Sequence, residues 1–140
     1  MGGVLTIKVV EQDADYLGID IRAANDRFAG SAWIYAGLDE LTDFADQIAG
    51  FPRTVDDERI YEFGSRDAGV AGGFCSLRFH CTDGSGHARV DAVIEDDAGF
   101  YGFGSASFTF QVFAHEIDRF ASSLRKIDND KSGEASLVTR

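Results

Sequence analysis

LRFHCTDGSGHARVDA, residues 77–92, is two short alternating runs around Asp83-Gly84-Ser85-Gly86. Glycine-containing tetrads between alternating runs close β-hairpins. With this tetrad as the loop, Thr82 faces His87, His80 faces Arg89 and Arg78 faces Asp91. On the opposite side Cys81 faces Ala88, Phe79 faces Val90 and Leu77 faces Ala92. The first set is polar throughout and the second apolar throughout. A slip of one residue would mix them, so the pattern selects one antiparallel register with one buried face.

The same alternation extends outward in both directions. Residues 4–10 (VLTIKVV), 16–23 (YLGIDIRA), 28–36 (FAGSAWIYA), 58–64 (ERIYEFG) and 106–113 (ASFTFQVF) read as further strands. In 28–36 the inward face stays open between Phe28, Ala32, Ile34 and Ala29, Trp33, Tyr35. Leu38, Leu41, Phe44, Ala45 and Ile48 form one stripe of an amphipathic helix that Gly50 and Pro52 end. Ile117, Phe120, Ala121 and Leu124 form the stripe of a second, over 115–127. The sum predicts an α+β fold: an antiparallel sheet of about seven strands, both helices on one face, the other face partly wet. Residues 1–127 form one domain, and 128–140, without apolar periodicity, are expected to be a disordered tail.

The stripe of LTDFADQI (41–48) recurs in IDRFASSL (117–124). Two origins fit: an internal duplication, or two helices that pack on one sheet and need the same stripe.

The hairpin register separates the residues that look like chemistry. His80 and His87 point to the open face, whereas Cys75 and Cys81 point to the core. A Cys–His nucleophile or a zinc site built on Cys81 and both histidines needs them on one side. What remains is an exposed pair, His80 and His87, beside an expected Arg78–Asp91 ion pair. The two cysteines, six residues apart on one strand, stand roughly 20 Å apart, too far for a disulfide. No Ser–His–Asp order, phosphate loop or dinucleotide fingerprint is present, and the sequence indicates no catalytic residue, metal or cofactor.

A net charge of −11 repels phosphate backbones and anionic membranes and attracts a basic protein. The candidate interaction surface is Asp56, Asp57 and Glu58, with Glu95, Asp96 and Asp97 and the aromatics Phe100, Tyr101 and Phe103 of the following glycine-rich loop. The alternative is a small-ligand binder or weak enzyme with a pocket near the 98–104 loop. A homodimer, formed through the open face or an edge strand, fits either reading. Without an apolar run or a recognisable leader, the expected location is the cytoplasm.

The order of strands, LDELTDFADQI, a four-strand run containing DGSGH, and a final IDRFASSL resembles small bacterial α+β domains. Some of these are similar to immunity proteins of polymorphic toxin systems. The resemblance covers most of residues 4–127 in pattern alone and carries over no functional residue. It implies an acidic surface that binds a basic toxin.

Overall fold

The 77–92 hairpin has the register its sequence dictates: Arg78 opposite Asp91, Phe79 opposite Val90, His80 opposite Arg89 and Cys81 opposite Ala88. The computed structural model describes residues 2–67, 72–84, 87–97 and 102–139, with the backbone alone at Asp97 and Thr139. The element order is β1 (Gly3–Gln12), β2 (Tyr16–Asn25), β3 (Ala29–Gly37), α1 (Glu40–Ile48), β4 (Glu58–Gly64), β5 (Phe74–Cys81), β6 (His87–Asp97), β7 (Phe103–Phe113), α2 (Ala114–Asp130) and β8 (Gly133–Thr139).

The fold is α+β, with eight strands in two antiparallel four-stranded sheets and two helices packed against them. Sheet A runs β3-β2-β1-β8 and sheet B runs β4-β5-β6-β7. Their inner faces share one core. Leu5, Ile7, Ile19, Ile21 and Ile34 come from sheet A, and Leu77, Phe79, Val90, Phe108 and Phe110 from sheet B. In β3 the buried set is Ala32, Ile34 and Ala36, so Trp33 and Tyr35 lie on the outer face. The expected single sheet is thus two. Alternation with a period of two tells which face of a strand is buried, but not which sheet the strand joins.

The helices do not lie side by side on one sheet face. Helix α1 touches β3 and β4, α2 touches β7 and β8, and the two helices pack on each other. Each helix therefore meets one edge strand of each sheet. Phe44 of α1 sits where these surfaces converge, with ring centroids 5.2 Å from Phe63, 6.2 Å from Phe79 and 6.1 Å from Phe120. Such aromatic pairs contribute about 0.5–1.5 kcal/mol each beyond burial.

The segment expected to be a disordered tail is ordered. Helix α2 continues to Asp130, Lys131 turns the chain with φ of 56°, and β8 pairs with β1 from Gly133–Val9 to Thr139–Gly3. Ala135 and Leu137 are buried, whereas Glu134, Ser136 and Val138 face outward. This is a strand's period, carried inward by only two residues, Ala135 and Leu137.

Asp128 holds the helix pair together. It is 2% exposed. Its Oδ2 accepts hydrogen bonds from the Thr42 backbone N–H at 2.9 Å and from the Thr42 hydroxyl at 2.6 Å, so it caps the first turn of α1. Lys131 Nζ lies 3.4 Å from Asp128 Oδ1 and donates to the Leu38 carbonyl at 2.9 Å. At the other end of α1, Asp118 accepts from the Gly50 N–H at 2.8 Å. Asp128→Ala is expected to destabilise the fold by about 2 kcal/mol, because it leaves the Thr42 N–H and hydroxyl without their acceptor and removes the carboxylate beside the half-buried Lys131. Urea denaturation at pH 7 measures this, and a loss below about 1 kcal/mol would contradict the capping role.

Candidate functional site

The outer face of sheet B carries an ion network. Arg78 stands 2.7 Å from Asp91 and 2.6 Å from Glu58, so the expected cross-strand pair extends to β4. His80 Nε2 lies 3.0 Å from Asp91 Oδ2 without the alignment of a hydrogen bond. His87 Nδ1 lies 2.9 Å from Asp83 Oδ2, so the turn carboxylate reaches it. Each histidine thus has its own carboxylate, and no contact joins the two rings into a single site. His115 pairs with Glu116 at 3.2 Å and stacks on Phe113, whose ring also meets His87.

The acidic candidates divide by what they touch. Asp57 is largely enclosed: its carboxylate accepts from Arg59 Nε at 3.1 Å, Arg59 Nη2 at 2.9 Å and the Arg53 N–H at 2.8 Å. Arg59 in turn donates Nη1 to the carbonyls of Gln47 and Ala49, which end α1. The hydrogen bonds from Arg59, and then from the Arg53 backbone, hold Asp57 below the usual carboxylate range. Asp96 Oδ1 accepts the Trp33 N–H at 3.1 Å, and Gly73 N donates to the Trp33 carbonyl at 2.8 Å, so the free edge of β3 is tied to sheet B. Glu95 pairs with Arg66 at 3.0 Å, and the Arg66 guanidinium lies 4.3 Å from the Phe74 ring centroid. Asp56 is exposed. The Asp97 side chain, Phe100 and Tyr101 lie outside the described residues. Phe103 is 68% exposed and borders a hollow of about 420 Å³ with Gly30, Ile94, Asp96 and Ala106.

The thiols are held away from reactivity. Burial pushes Cys75 up to about 12. Cys81 is raised by partial burial, then by the charges of Asp57, Asp83 and Asp56.

A second cluster escaped the reading of the sequence. Tyr16, Trp33 and Tyr35 meet on the outer face of sheet A, with ring centroids 4.4 Å apart for Trp33–Tyr35 and 5.0 Å for Tyr16–Tyr35, both edge-on. Gly18, opposite Tyr35, leaves room for the indole: a methyl group there would stand 2.6 Å from Trp33 Cζ2. Tyr16 pairs with Gly37, which brings the β1–β2 turn, with Asp13 and Asp15, to the same end of the sheet as Asp39. Tyr16 donates its hydroxyl to Glu11 Oε1 at 2.9 Å. That bond, with partial desolvation and the charges of Glu11 and Asp13, pushes Tyr16 up to about 12. The signal in the sequence was a glycine in mid-strand beside two aromatics of the outward parity.

No family model, curated protein or solved structure matches the chain. Among the described residues, no helix is long and apolar enough to cross a membrane, and no group of three or more His, Cys, Asp or Glu side chains is placed to hold a metal ion.

The depressed Asp57 carboxyl fixes the sign of a pH effect. Its stabilisation is complete above the unfolded value of about 4 and is lost as pH falls through the lower folded value. Asp57→Asn is expected to cost about 2 kcal/mol at pH 7 and progressively less as pH falls below about 4. Urea midpoints across that range test this, and a gap independent of pH would contradict it.

Proposed function

We propose that the protein is a non-catalytic interaction module that engages a basic polypeptide, in the manner of an immunity protein. The observation that carries this reading is the Tyr16–Trp33–Tyr35 cluster on the outer face of sheet A, beside Glu11, Asp13, Asp15 and Asp39. Aromatic faces attract guanidinium and ammonium groups by about 0.5–2 kcal/mol each. The four carboxylates stand where the flanking cations of such a segment would lie, and a net charge of −11 steers a basic chain toward the surface. Two of the acidic candidates also make structural contacts: Asp57 locks the segment after α1, and Asp96 secures the edge of β3. A binding role also suits the remaining chemistry. The acid–histidine pairs lie on an open sheet face, where water and bulk ions compete with any substrate.

Trp33 is the sole tryptophan, so it reports on the surface directly. Titration with a nona-arginine peptide is expected to change its emission saturably, with an affinity that falls as salt rises. Tyr35→Ala should weaken binding about 10-fold, equivalent to roughly 1.4 kcal/mol. Neutralising Asp13, Asp15 and Asp39 to Asn should weaken it more than neutralising Asp26, Asp56 and Glu62 to their amides, a change of equal charge. Equal effects of the two triple variants, or full affinity in Tyr35→Ala, would refute this surface.

A further inference from the structure

The chain runs twice through one order of elements: β1-β2-β3-α1-β4, then β5-β6-β7-α2-β8. Each half forms a three-stranded meander, and the fourth strand of each half joins the first strand of the other half. Thus β8 pairs with β1, and β4 with β5. The inward-facing rows correspond position by position. Leu137–Leu5–Ala23–Gly30 in sheet A matches Phe63–Cys75–Ile94–Ala106 in sheet B. The next row, Ala135–Ile7–Ile21–Ala32, matches Tyr61–Leu77–Ala92–Phe108.

The sequences of the two halves agree with this correspondence. Gly2-Gly3-Val4-Leu5-Thr6-Ile7-Lys8 falls on Gly72-Gly73-Phe74-Cys75-Ser76-Leu77-Arg78. Asp20, opposite Lys8, falls on Asp91, opposite Arg78. From Gly30 to Ile48 the first half aligns with Ala106 to Leu124 without a gap, which places Phe44-Ala45 on Phe120-Ala121.

Contacts between the halves are reciprocal, as in an interface with two-fold symmetry. Asn25 and Asp96 occupy matching places. Asn25 donates its side-chain amide to the Thr109 carbonyl at 2.8 Å, and Asp96 accepts the N–H of Trp33, the residue that matches Thr109. Matching residues also meet each other, as they must on an axis. Phe44 faces Phe120, and a methyl group at Gly30 would stand 3.0 Å from Ala106 Cβ. Two helices that merely need the same stripe on a sheet would satisfy none of these relations.

We infer that the chain is a tandem duplication of one βββαβ unit, whose two copies exchange their last strands about a pseudo-two-fold axis. Its physical content is that the order of the copies along the chain is immaterial. Strands β8 and β1 form an open version of the pairing that residues 65–73 close between β4 and β5.

Two full-length variants test this. The first is a circular permutant that starts at Gly72 and ends at Ala71, with Arg140 joined to Met1 by a Gly/Ser linker, and again by one a little longer. It is expected to be monomeric, with the parent's circular dichroism and one cooperative transition within about 5 °C of the parent Tm. The second exchanges the pair on the axis, Gly30→Ala with Ala106→Gly. Gly30→Ala alone is expected to lower Tm by crowding Ala106, and the exchange to recover most of that loss, because either strand can carry the methyl group there. A permutant that is unfolded or aggregated at both linker lengths overturns the inference. So does an exchanged pair no more stable than Gly30→Ala alone.

Discussion

The Phe44 ring is the contact through which the rest of the structure is coordinated. It packs on Tyr61 and Phe63 of β4, on Phe79 of β5 and on Phe120 of α2. Sheet A alone would leave Leu5, Ile7 and Ile21 facing water, and sheet B alone would leave Phe79, Val90 and Phe110 facing water. Neither sheet is viable without the other, and both need the helices across their edges. The polar contacts follow from this arrangement. Asp128 and Asp118 hold α1 against α2 near its two ends, and Arg59 closes the last carbonyls of α1.

Local pattern made much of the fold legible. The hairpin at 77–92 could be read to the residue, because polar and apolar sets separate cleanly across it. Both helix stripes were legible for the same reason: Leu41, Phe44, Ala45 and Ile48 are all buried, as are Ile117, Phe120, Ala121 and Leu124, whereas Leu38, read as the start of the first stripe, lies in the turn before α1. What escaped was assembly. Nothing in an alternating run says that β1–β3 and β5–β7 belong to different sheets. Nothing in GEASLVT says that Leu137 returns to lie against Leu5, because that pairing spans nearly the whole chain. The surroundings of the acidic candidates were hidden for a related reason. A sequence displays acids such as Asp57 and Asp96 without the backbone N–H groups and arginine that contact them, and alternation alone leaves open whether Trp33 and Tyr35 or Ala32 and Ile34 face inward.

The symmetry of the backbone does not extend to the surface. Where the first half presents Tyr16, Trp33 and Tyr35, the matching places in the second hold His87, Thr109 and Gln111, and Arg89 stands where Gly18 makes room for the indole. The buried rows keep apolar residues in both halves, whereas the outer faces have diverged. The interior serves a shared framework, and the outward residues are where the halves differ chemically.

The pairing of β8 with β1 has a mechanical consequence. Thr139 lies directly opposite Gly3, so tension applied to the two ends of the described chain falls on the outermost pair of an antiparallel ladder. The hydrogen bonds are then loaded one after another, each worth only about 1 kcal/mol net, rather than all at once in shear. Strand β8 would peel from β1 toward Gly133, exposing Leu5 and Leu137 first. A domain so tethered yields to a pull from its ends one hydrogen-bonded pair at a time, like a zipper opened from its slider.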